Sequence, residues 1–258
     1  MTLAFDRAGP PGRPVLLLHG IGGDRGIWAG SVAALAAAGF DAIAVDLPGY
    51  GGSALLEPGG VERMAQAVAE TMQALGLDRA ALVGHSMGGM VAQELAATAP
   101  ARVAALVLAC TSPAFGKPDG HWQARFVAER LAPLDAGLGM AAVAATLVPG
   151  MVGPLASAEG VALAQRTMAA VPEATYRRVL AAIVAFDRRA ALSGIAVPTL
   201  CLAGSLDRTA PPAVLRGMAE RIPGARYAEL DGAGHIANVE QPAAFDAAVI
   251  RFLSETLR

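Results

Sequence analysis

The chain is poor in charge and in cysteine, and both shortages narrow what it can be. Charged residues make up 16% of the 258 residues and the formal net charge is −2, so the sequence offers no basic surface for nucleic acid or an anionic membrane. Its two cysteines, Cys110 and Cys201, both adjoin apolar strand-like runs, which favours buried thiols over a disulfide. We therefore expect a cytoplasmic protein without nucleic-acid or membrane partners.

The chain also lacks a long uninterrupted apolar segment. Residues 1–10 have no apolar core of the kind found in a signal peptide. Residues 136–158 carry no charge, but Pro149, Pro154 and several glycines interrupt them and alanine is frequent. A membrane span needs ~20 strongly apolar residues. This stretch is therefore interpreted as a loosely helical segment of a soluble protein.

Hydrophobic residues make up 54% of the sequence, enough for a sizeable core. Short apolar runs alternate with helical patterns in two parts of the chain. Such alternation predicts a mostly parallel sheet flanked by helices. The strands are expected at 2–6, 15–18, 42–45, 81–83, 103–109, 197–203 and 226–230, and the helices at 28–38, 61–75, 87–97, 212–221 and 242–257.

Between these two parts the sequence shows helical patterns and no convincing strand. We therefore predict an α/β core formed by residues 1–112 and 188–258, with residues 113–187 inserted as a helical cap. A cap in this position is expected to cover the site as a lid and to set its specificity.

A glycine-flanked serine stands between a predicted strand and a predicted helix. Residues 84–88 have the sequence G-H-S-M-G. A serine in so tight a turn has strained backbone, and a bulky neighbour two positions away would collide with the adjoining strand and helix. This pattern predicts that Ser86 is a nucleophile exposed at the start of a helix.

A serine hydroxyl needs a base, and the base needs an orienting acid. The chain has four histidines, His19, His85, His121 and His235. His235 follows the last predicted strand. In a parallel sheet, the end of that strand lies at the same edge as the turn that carries Ser86, residues 84–88, which we call the elbow. Asp207 follows the preceding strand and is predicted to be the acid. Asp231 is the alternative, although it is only four residues from His235.

The oxyanion of a tetrahedral intermediate needs two preorganised donors. One is expected to be the backbone N–H of Met87, beside the nucleophile. The other is expected from the glycine-rich loop 19–23, where the N–H of Ile21 is favoured and that of Gly22 stays open.

Five motifs spread along the chain carry its resemblance to a known family. They are the His19-Gly20 loop, the D-x-P-G-x-G-x-S motif at 46–53, the elbow at 84–88, Asp207, and Gly234-His235. Together they resemble the α/β-hydrolase superfamily over nearly the full length, with the triad in the order serine, aspartate, histidine. Within it, the elbow and the stretch 234–242 look most like the 3-oxoadipate enol-lactonases and their esterase relatives.

The resemblance implies a serine hydrolase that cleaves a small carboxylic ester or lactone through an acyl-enzyme, without a metal or cofactor. Haloalkane dehalogenases and epoxide hydrolases of this superfamily have aspartate where Ser86 stands, which disfavours those reactions. Carbon–carbon hydrolases of ring-fission products commonly have tryptophan where Ile236 stands. A carbon–carbon hydrolase with the same triad, and a non-catalytic member that binds a small ligand, stay open as alternatives.

The predicted cap offers residues for a substrate pocket. Trp122 and Arg125 are predicted pocket residues, and methionines at 140, 151 and 168 suggest an adaptable apolar wall. An arginine could hold a substrate carboxylate. The arginines considered for this role are Arg125, Arg130, Arg166, Arg177 and Arg178.

Overall fold

The computed structural model describes residues 2–57, 59–116 and 120–257. Within these ranges, seven strands form one sheet in the order β1-β3-β2-β4-β5-β6-β7. The edge strand β1 is antiparallel to β3, and the other neighbours are parallel. The strands are β1 (Phe5–Ala8), β2 (Pro14–Leu18), β3 (Asp41–Val45), β4 (Ala80–His85), β5 (Val103–Ala109), β6 (Thr199–Gly204) and β7 (Arg226–Leu230).

Helices surround the sheet. Outside the stretch between β5 and β6, they mostly alternate with the strands along the chain. They are α1 (Ala29–Ala37), α2 (Val61–Ala74), α3 (Met87–Thr98), α4 (His121–Asp135), α5 (Gly139–Leu147), α6 (Ala158–Ala170), α7 (Glu173–Val184), α8 (Pro212–Arg221), α9 (Ala237–Glu240) and α10 (Pro242–Thr256). Over the described ranges, none of these helices has the length and apolarity required to cross a bilayer.

The central strands are buried on both faces, which explains their continuous apolar sequence. Every residue of β3, β4 and β6 is buried, as are the last four residues of β2. A parallel strand covered by helices on both sides requires this composition. The prediction of a mostly parallel sheet flanked by helices is confirmed. The two cysteines are buried and unpaired, as expected.

Most predicted elements begin and end within about two residues of the expected bounds. β5, α8 and β7 begin and end where expected, whereas β1 lies at Phe5–Ala8 rather than at 2–6. The short helix α9 was not predicted, because four residues are too few to show a helical period.

Among the described residues, four helices (α4–α7) lie between β5 and β6, and the two ends of this segment meet. Ala114 pairs with Asp187 in an isolated antiparallel bridge. The Arg188 N–H also donates to the Pro113 carbonyl at 2.7 Å. These contacts adjoin the limits of 113 and 187 predicted for the cap, whose division from the core stays a prediction.

A buried ion pair fastens this junction to the core. The Glu94 side chain on α3 is 2% exposed. Its two oxygens accept hydrogen bonds from Arg188 at 2.5 Å and 2.8 Å. Such paired geometry compensates part of the cost of removing the carboxylate from water.

We expect Arg188→Ala to lower the free energy of unfolding by about 2–3 kcal/mol, because the buried Glu94 carboxylate loses its partner. Arg189→Ala is the matched control, since Arg189 is exposed and pairs with the exposed Asp187. Its loss should be much smaller. Guanidinium unfolding followed by circular dichroism measures both values, and equal losses would contradict the anchoring role.

Candidate active site

The turn after β4 is a strained strand-to-helix elbow. Ser86 has φ 51° and ψ −116°, a conformation that a serine rarely adopts. A Cβ at Gly84 would lie 2.4 Å from the Gly88 carbonyl oxygen, and one at Gly88 would lie 2.1 Å from that of Leu18. Both glycines are therefore required by close backbone approach. The elbow sets the Ser86 side chain at the carboxyl edge of the sheet.

Three residues that the sequence selected lie in hydrogen-bonding contact. His235 Nε2 is 3.0 Å from Ser86 Oγ, and His235 Nδ1 is 2.8 Å from Asp207 Oδ2. Because the carboxylate only accepts, Nδ1 carries the imidazole proton and leaves the Nε2 lone pair directed at the serine hydroxyl. The arrangement can remove a proton from Ser86.

Asp207 is held as a carboxylate. Burial raises its pKa, but the electrostatic interaction with His235 and the hydrogen bonds from His235, Ala210 and Thr209 outweigh burial, so that the pKa of Asp207 is lowered overall. The backbone N–H groups of Thr209 and Ala210 donate to its second oxygen at 2.7 Å and 2.9 Å. Asp231, the alternative acid, is exposed and makes a 3.5 Å contact with Ser205 instead.

The loop after β2 faces the same cavity as Ser86. Within the described residues, the N–H groups of Ile21 and Gly22 donate no hydrogen bond, and both residues line that cavity. Met87 is the first residue of α3, and the first N–H groups of a helix have no intrahelical partner. The structure therefore brings Ile21, Gly22 and Met87 near the nucleophile, and their role as oxyanion donors stays a prediction.

Buried side chains fix the peptide planes of this loop. His19 Nε2 accepts from the Leu47 N–H at 3.0 Å, so His19 Nδ1 carries the proton and donates to the Gly20 carbonyl at 2.8 Å. In a trans peptide the Ile21 N–H points opposite to that carbonyl. The Tyr50 hydroxyl donates to the Ile21 carbonyl at 3.1 Å and so orients the Gly22 N–H. No pattern in the sequence predicts the Tyr50 contact, because the two residues are 29 positions apart in the chain.

Helix α6 rests on the same loop. The Thr167 hydroxyl donates to the Gly22 carbonyl at 3.1 Å. The next residue, Met168, lies so close to Gly22 that a Cβ there would be 2.4 Å from its terminal methyl. The contact extends the predicted methionine wall to the loop itself, since Met151 and Met168 both line the cavity.

The cavity beside Ser86 and His235 is small. Its volume of about 20 Å³ is enough for about one water molecule. A substrate can enter only if a wall moves, and the flexible thioethers of Met151 and Met168 are the wall residues best able to do so.

His85 contacts the loop that carries His235. Its Nε2–H donates to the His235 carbonyl at 2.7 Å, and the two rings lie 5.1 Å apart. Burial, and then the neighbouring His235, lower the pKa of His85 to about 3. His85 is thus neutral in ordinary buffers and does not compete for the serine proton.

A buried carboxylate that the sequence analysis missed organises the loop around His235. Glu240 is 4% exposed. It accepts from the N–H groups of Gly234 and Ile236 at 2.7 Å and 2.8 Å, and from that of Gly153 at 2.6 Å. A glutamate on a short helix is usually solvated, so the sequence carried no signal for this position.

The two predicted pocket residues lie in different surroundings. Trp122 lines a cleft next to the cavity and is 38% exposed. Arg125 is 70% exposed and lies 3.8 Å from Glu129 one turn along α4, away from the residues lining the cavity and the cleft. The structure therefore does not bring Arg125 to either space. Arg130, on another face of α4, lines the cleft.

The other arginines considered are directed elsewhere. Arg177 pairs with Glu173 and Asp135, and Arg178 pairs with Glu57. Arg166 is exposed on α6.

Comparison with known proteins places this site in a family. A model described as the alpha/beta hydrolase fold matches residues 13–242. RutD of Variovorax paradoxus, a candidate carbamate hydrolase, is 36% identical over 263 residues, which cover 98% of this chain and 97% of that protein.

Solved structures agree with the sequence match. The enol-lactonase from Burkholderia xenovorans is 30% identical with a TM-score of 0.87, over 98% of this chain and 96% of that one. A thermophilic esterase from Thermogutta terrifontis is also 30% identical with a TM-score of 0.87, over 99% and 94%. The resemblance expected from the motifs is confirmed, and the chain belongs to the α/β-hydrolase fold family.

Proposed function

We propose that the protein is a serine hydrolase that cleaves a small carboxylic ester or lactone through an acyl-enzyme. The observation that carries the proposal is the continuous hydrogen-bonded chain from Ser86 through His235 to Asp207, with distances of 3.0 Å and 2.8 Å. It stands at a strained elbow beside a loop in which the N–H groups of Ile21 and Gly22 donate no hydrogen bond to any described residue. This combination supports acyl transfer over simple ligand binding, which needs no activated hydroxyl.

The proposed reaction has two halves. His235 Nε2 takes the proton of Ser86 Oγ as that oxygen attacks the carbonyl carbon, and the proton then passes to the leaving alkoxide. Water next attacks the acyl-enzyme, with His235 again taking its proton and returning it to Ser86. Asp207 holds the imidazole in the tautomer required for both halves and stabilises the imidazolium.

Backbone groups are proposed to stabilise the oxyanion. The N–H groups of Met87 and Ile21 are the intended donors, and Gly22 is the alternative to Ile21. Losing one such donor typically costs about 3 kcal/mol of transition-state stabilisation. His19 and Tyr50 would act indirectly, because they fix the peptide planes from which these N–H groups project.

Similar proteins support hydrolysis and leave the scissile bond to experiment. The solved relatives are an enol-lactonase and an esterase, and RutD is a candidate carbamate hydrolase. All three bond types present a carbonyl carbon to a nucleophile. A parallel assay of an ester, an enol-lactone, a carbamate and a ring-fission dienoate distinguishes them, and we expect the ester or lactone to react fastest.

Replacing the nucleophile tests the proposal. We expect Ser86→Ala to reduce hydrolysis of p-nitrophenyl butyrate by at least about 10⁴-fold, because the attacking oxygen is lost. A fluorophosphonate probe should label the unmodified protein and not the variant. Substantial remaining activity in the folded variant would refute the assignment of Ser86. A folded unmodified protein that is neither labelled nor active would favour a non-catalytic ligand-binding role.

The identity of the acid gives a second test. Asp207→Asn should reduce kcat by about 10³–10⁴-fold, because an amide can donate to Nδ1 and so favours the wrong imidazole tautomer. Asp231→Asn is the control and should change kcat less than about twofold, since its exposed side chain lies away from His235. Steady-state kinetics with the same ester measures both, and the opposite ranking would move the acid to Asp231.

A further inference from the structure

A cleft lies on the far side of Met151 from the nucleophile. It has a volume of about 300 Å³ and is lined by residues of α4, α5 and the loop after β6. Met151 lines both this cleft and the cavity beside Ser86. A flexible thioether is therefore the wall that the two spaces share. We call this space the arginine cleft and define it by Trp122, Phe126, Arg130, Met151 and Arg208.

Aromatic rings form one side of the arginine cleft. The Trp122 and Phe126 ring centroids are 5.1 Å apart, and Phe115 contacts both rings. The Arg130 guanidinium lies over the Phe126 ring, 3.2 Å from its centroid. Stacking of this kind holds a guanidinium plane in a defined orientation and leaves its edge N–H groups available.

The two arginines of the cleft have no anionic partner. Neither Arg130 nor Arg208 forms an ion pair in the part of the chain that the structure describes, whereas Arg125 and Arg177 on neighbouring surfaces do. The described lining residues include no aspartate or glutamate. Burial lowers the pKa of Arg130, and the neighbouring Tyr176 and Glu129 offset this only in part. Arg130 is partly buried, whereas Arg208 is exposed. For Arg130, the absence of an anion is costly, and a bound anion would remove that cost.

We propose that the arginine cleft binds a carboxylate at the end of the substrate remote from the scissile bond. The substrate class is then a half-ester of a dicarboxylic acid, or a lactone with an acidic side chain, whose hydrocarbon passes Met151. This proposal rests on the proposed function of Ser86. Arg130 and Arg208 determine specificity here and take no part in bond cleavage.

Matched esters test the cleft. Monoethyl adipate and ethyl hexanoate have the same acyl length and differ in the terminal carboxylate. We expect kcat/KM to favour the charged ester, with a preference that weakens as salt is added. Arg130→Met and Arg208→Met should each reduce this preference at least about tenfold, because each removes a charge-assisted contact. Arg125→Met is the control, since its side chain faces solvent on the same helix.

A binding measurement tests the arginine cleft independently of the proposed hydrolysis by Ser86. Isothermal titration of the Ser86→Ala variant with monoethyl adipate should show binding that Arg130→Met weakens at least about tenfold, whether or not any ester is hydrolysed. Equal kcat/KM for the two esters, equal losses for both in Arg130→Met, or unchanged binding would overturn the proposal.

A separate observation concerns the base. The Glu240 carboxylate receives N–H groups from both neighbours of His235 and from Gly153. The His235 N–H itself donates to the Met151 carbonyl at 2.6 Å. A Cβ on Gly153 would lie 2.1 Å from the Gly232 carbonyl oxygen, so the two backbones are in direct contact. The segment 151–153 thus forms part of the support of the His235 loop.

The geometry points to Glu240 as a positioning residue that couples the segment 151–153 to the base. Its charge is matched by three N–H donors, and an amide in its place would turn one oxygen into an NH₂ group facing N–H groups. Movement of Met151 during substrate entry would then be transmitted to His235 through shared backbone hydrogen bonds. This role of Glu240 rests on the proposed function of His235 as the base.

Two buried glutamates provide the test. Glu240→Gln should lower kcat for p-nitrophenyl butyrate at least about tenfold with KM changed less than about threefold, because the base is misplaced after substrate binds. Glu94→Gln is the control, since it disrupts an equally buried carboxylate remote from the site and should leave kcat unchanged below its unfolding temperature. The rate of fluorophosphonate labelling supplies the same comparison without ester turnover.

Gly153→Ala keeps the proposal testable if Glu240→Gln does not fold. Its Cβ would displace the segment 151–153 with Glu240 intact, and we expect the same selective loss of kcat. Unchanged kcat in folded Glu240→Gln or Gly153→Ala would overturn the coupling. The coupling would also be overturned if the loss of kcat in each variant only matched its unfolded fraction, which is all that is expected of the control Glu94→Gln.

Discussion

The close approach of the elbow to strand β2 is the constraint on which the site depends. Gly88 passes so near the Leu18 carbonyl that no side chain fits between them. Because β2 ends at Leu18, this approach brings the loop that starts at His19 directly beside Ser86. A nucleophile and the main-chain donors proposed for its oxyanion therefore share one cavity as a result of strand packing.

Much of the core was predictable because its physics is local. A parallel strand buried on both faces must be a continuous apolar run, and the order of such runs places Ser86, Asp207 and His235 at strand ends on one edge. The choice between Asp207 and Asp231 also followed from strand geometry, and the observed distances agree with it.

The surroundings of the triad were less predictable because they depend on how helices dock. Arg125 and Arg130 are both basic residues of α4, but five residues correspond to well over one turn, and they lie on different faces. Helical periodicity alone could not say which face meets the core. Glu240 was hidden for a related reason, since only the folded loops bring the N–H groups of Gly153 and Gly234 to one carboxylate.

The junction at Pro113 and Arg188 has a consequence for how the protein could diversify. The chain leaves the sheet after β5 and returns before β6 at adjacent positions, which we call the neck and define by Ala114, Asp187 and Arg188. The hydrogen bonds from Arg188 to Glu94 hold the neck against α3. The entropic cost of closing a loop grows only slowly with its length. Helices beyond the neck can therefore be lengthened, exchanged or resequenced at modest cost to the sheet. The contacts of the segment 151–153 with the His235 loop, and of Thr167 with Gly22, would have to be kept, because they support the loops around Ser86.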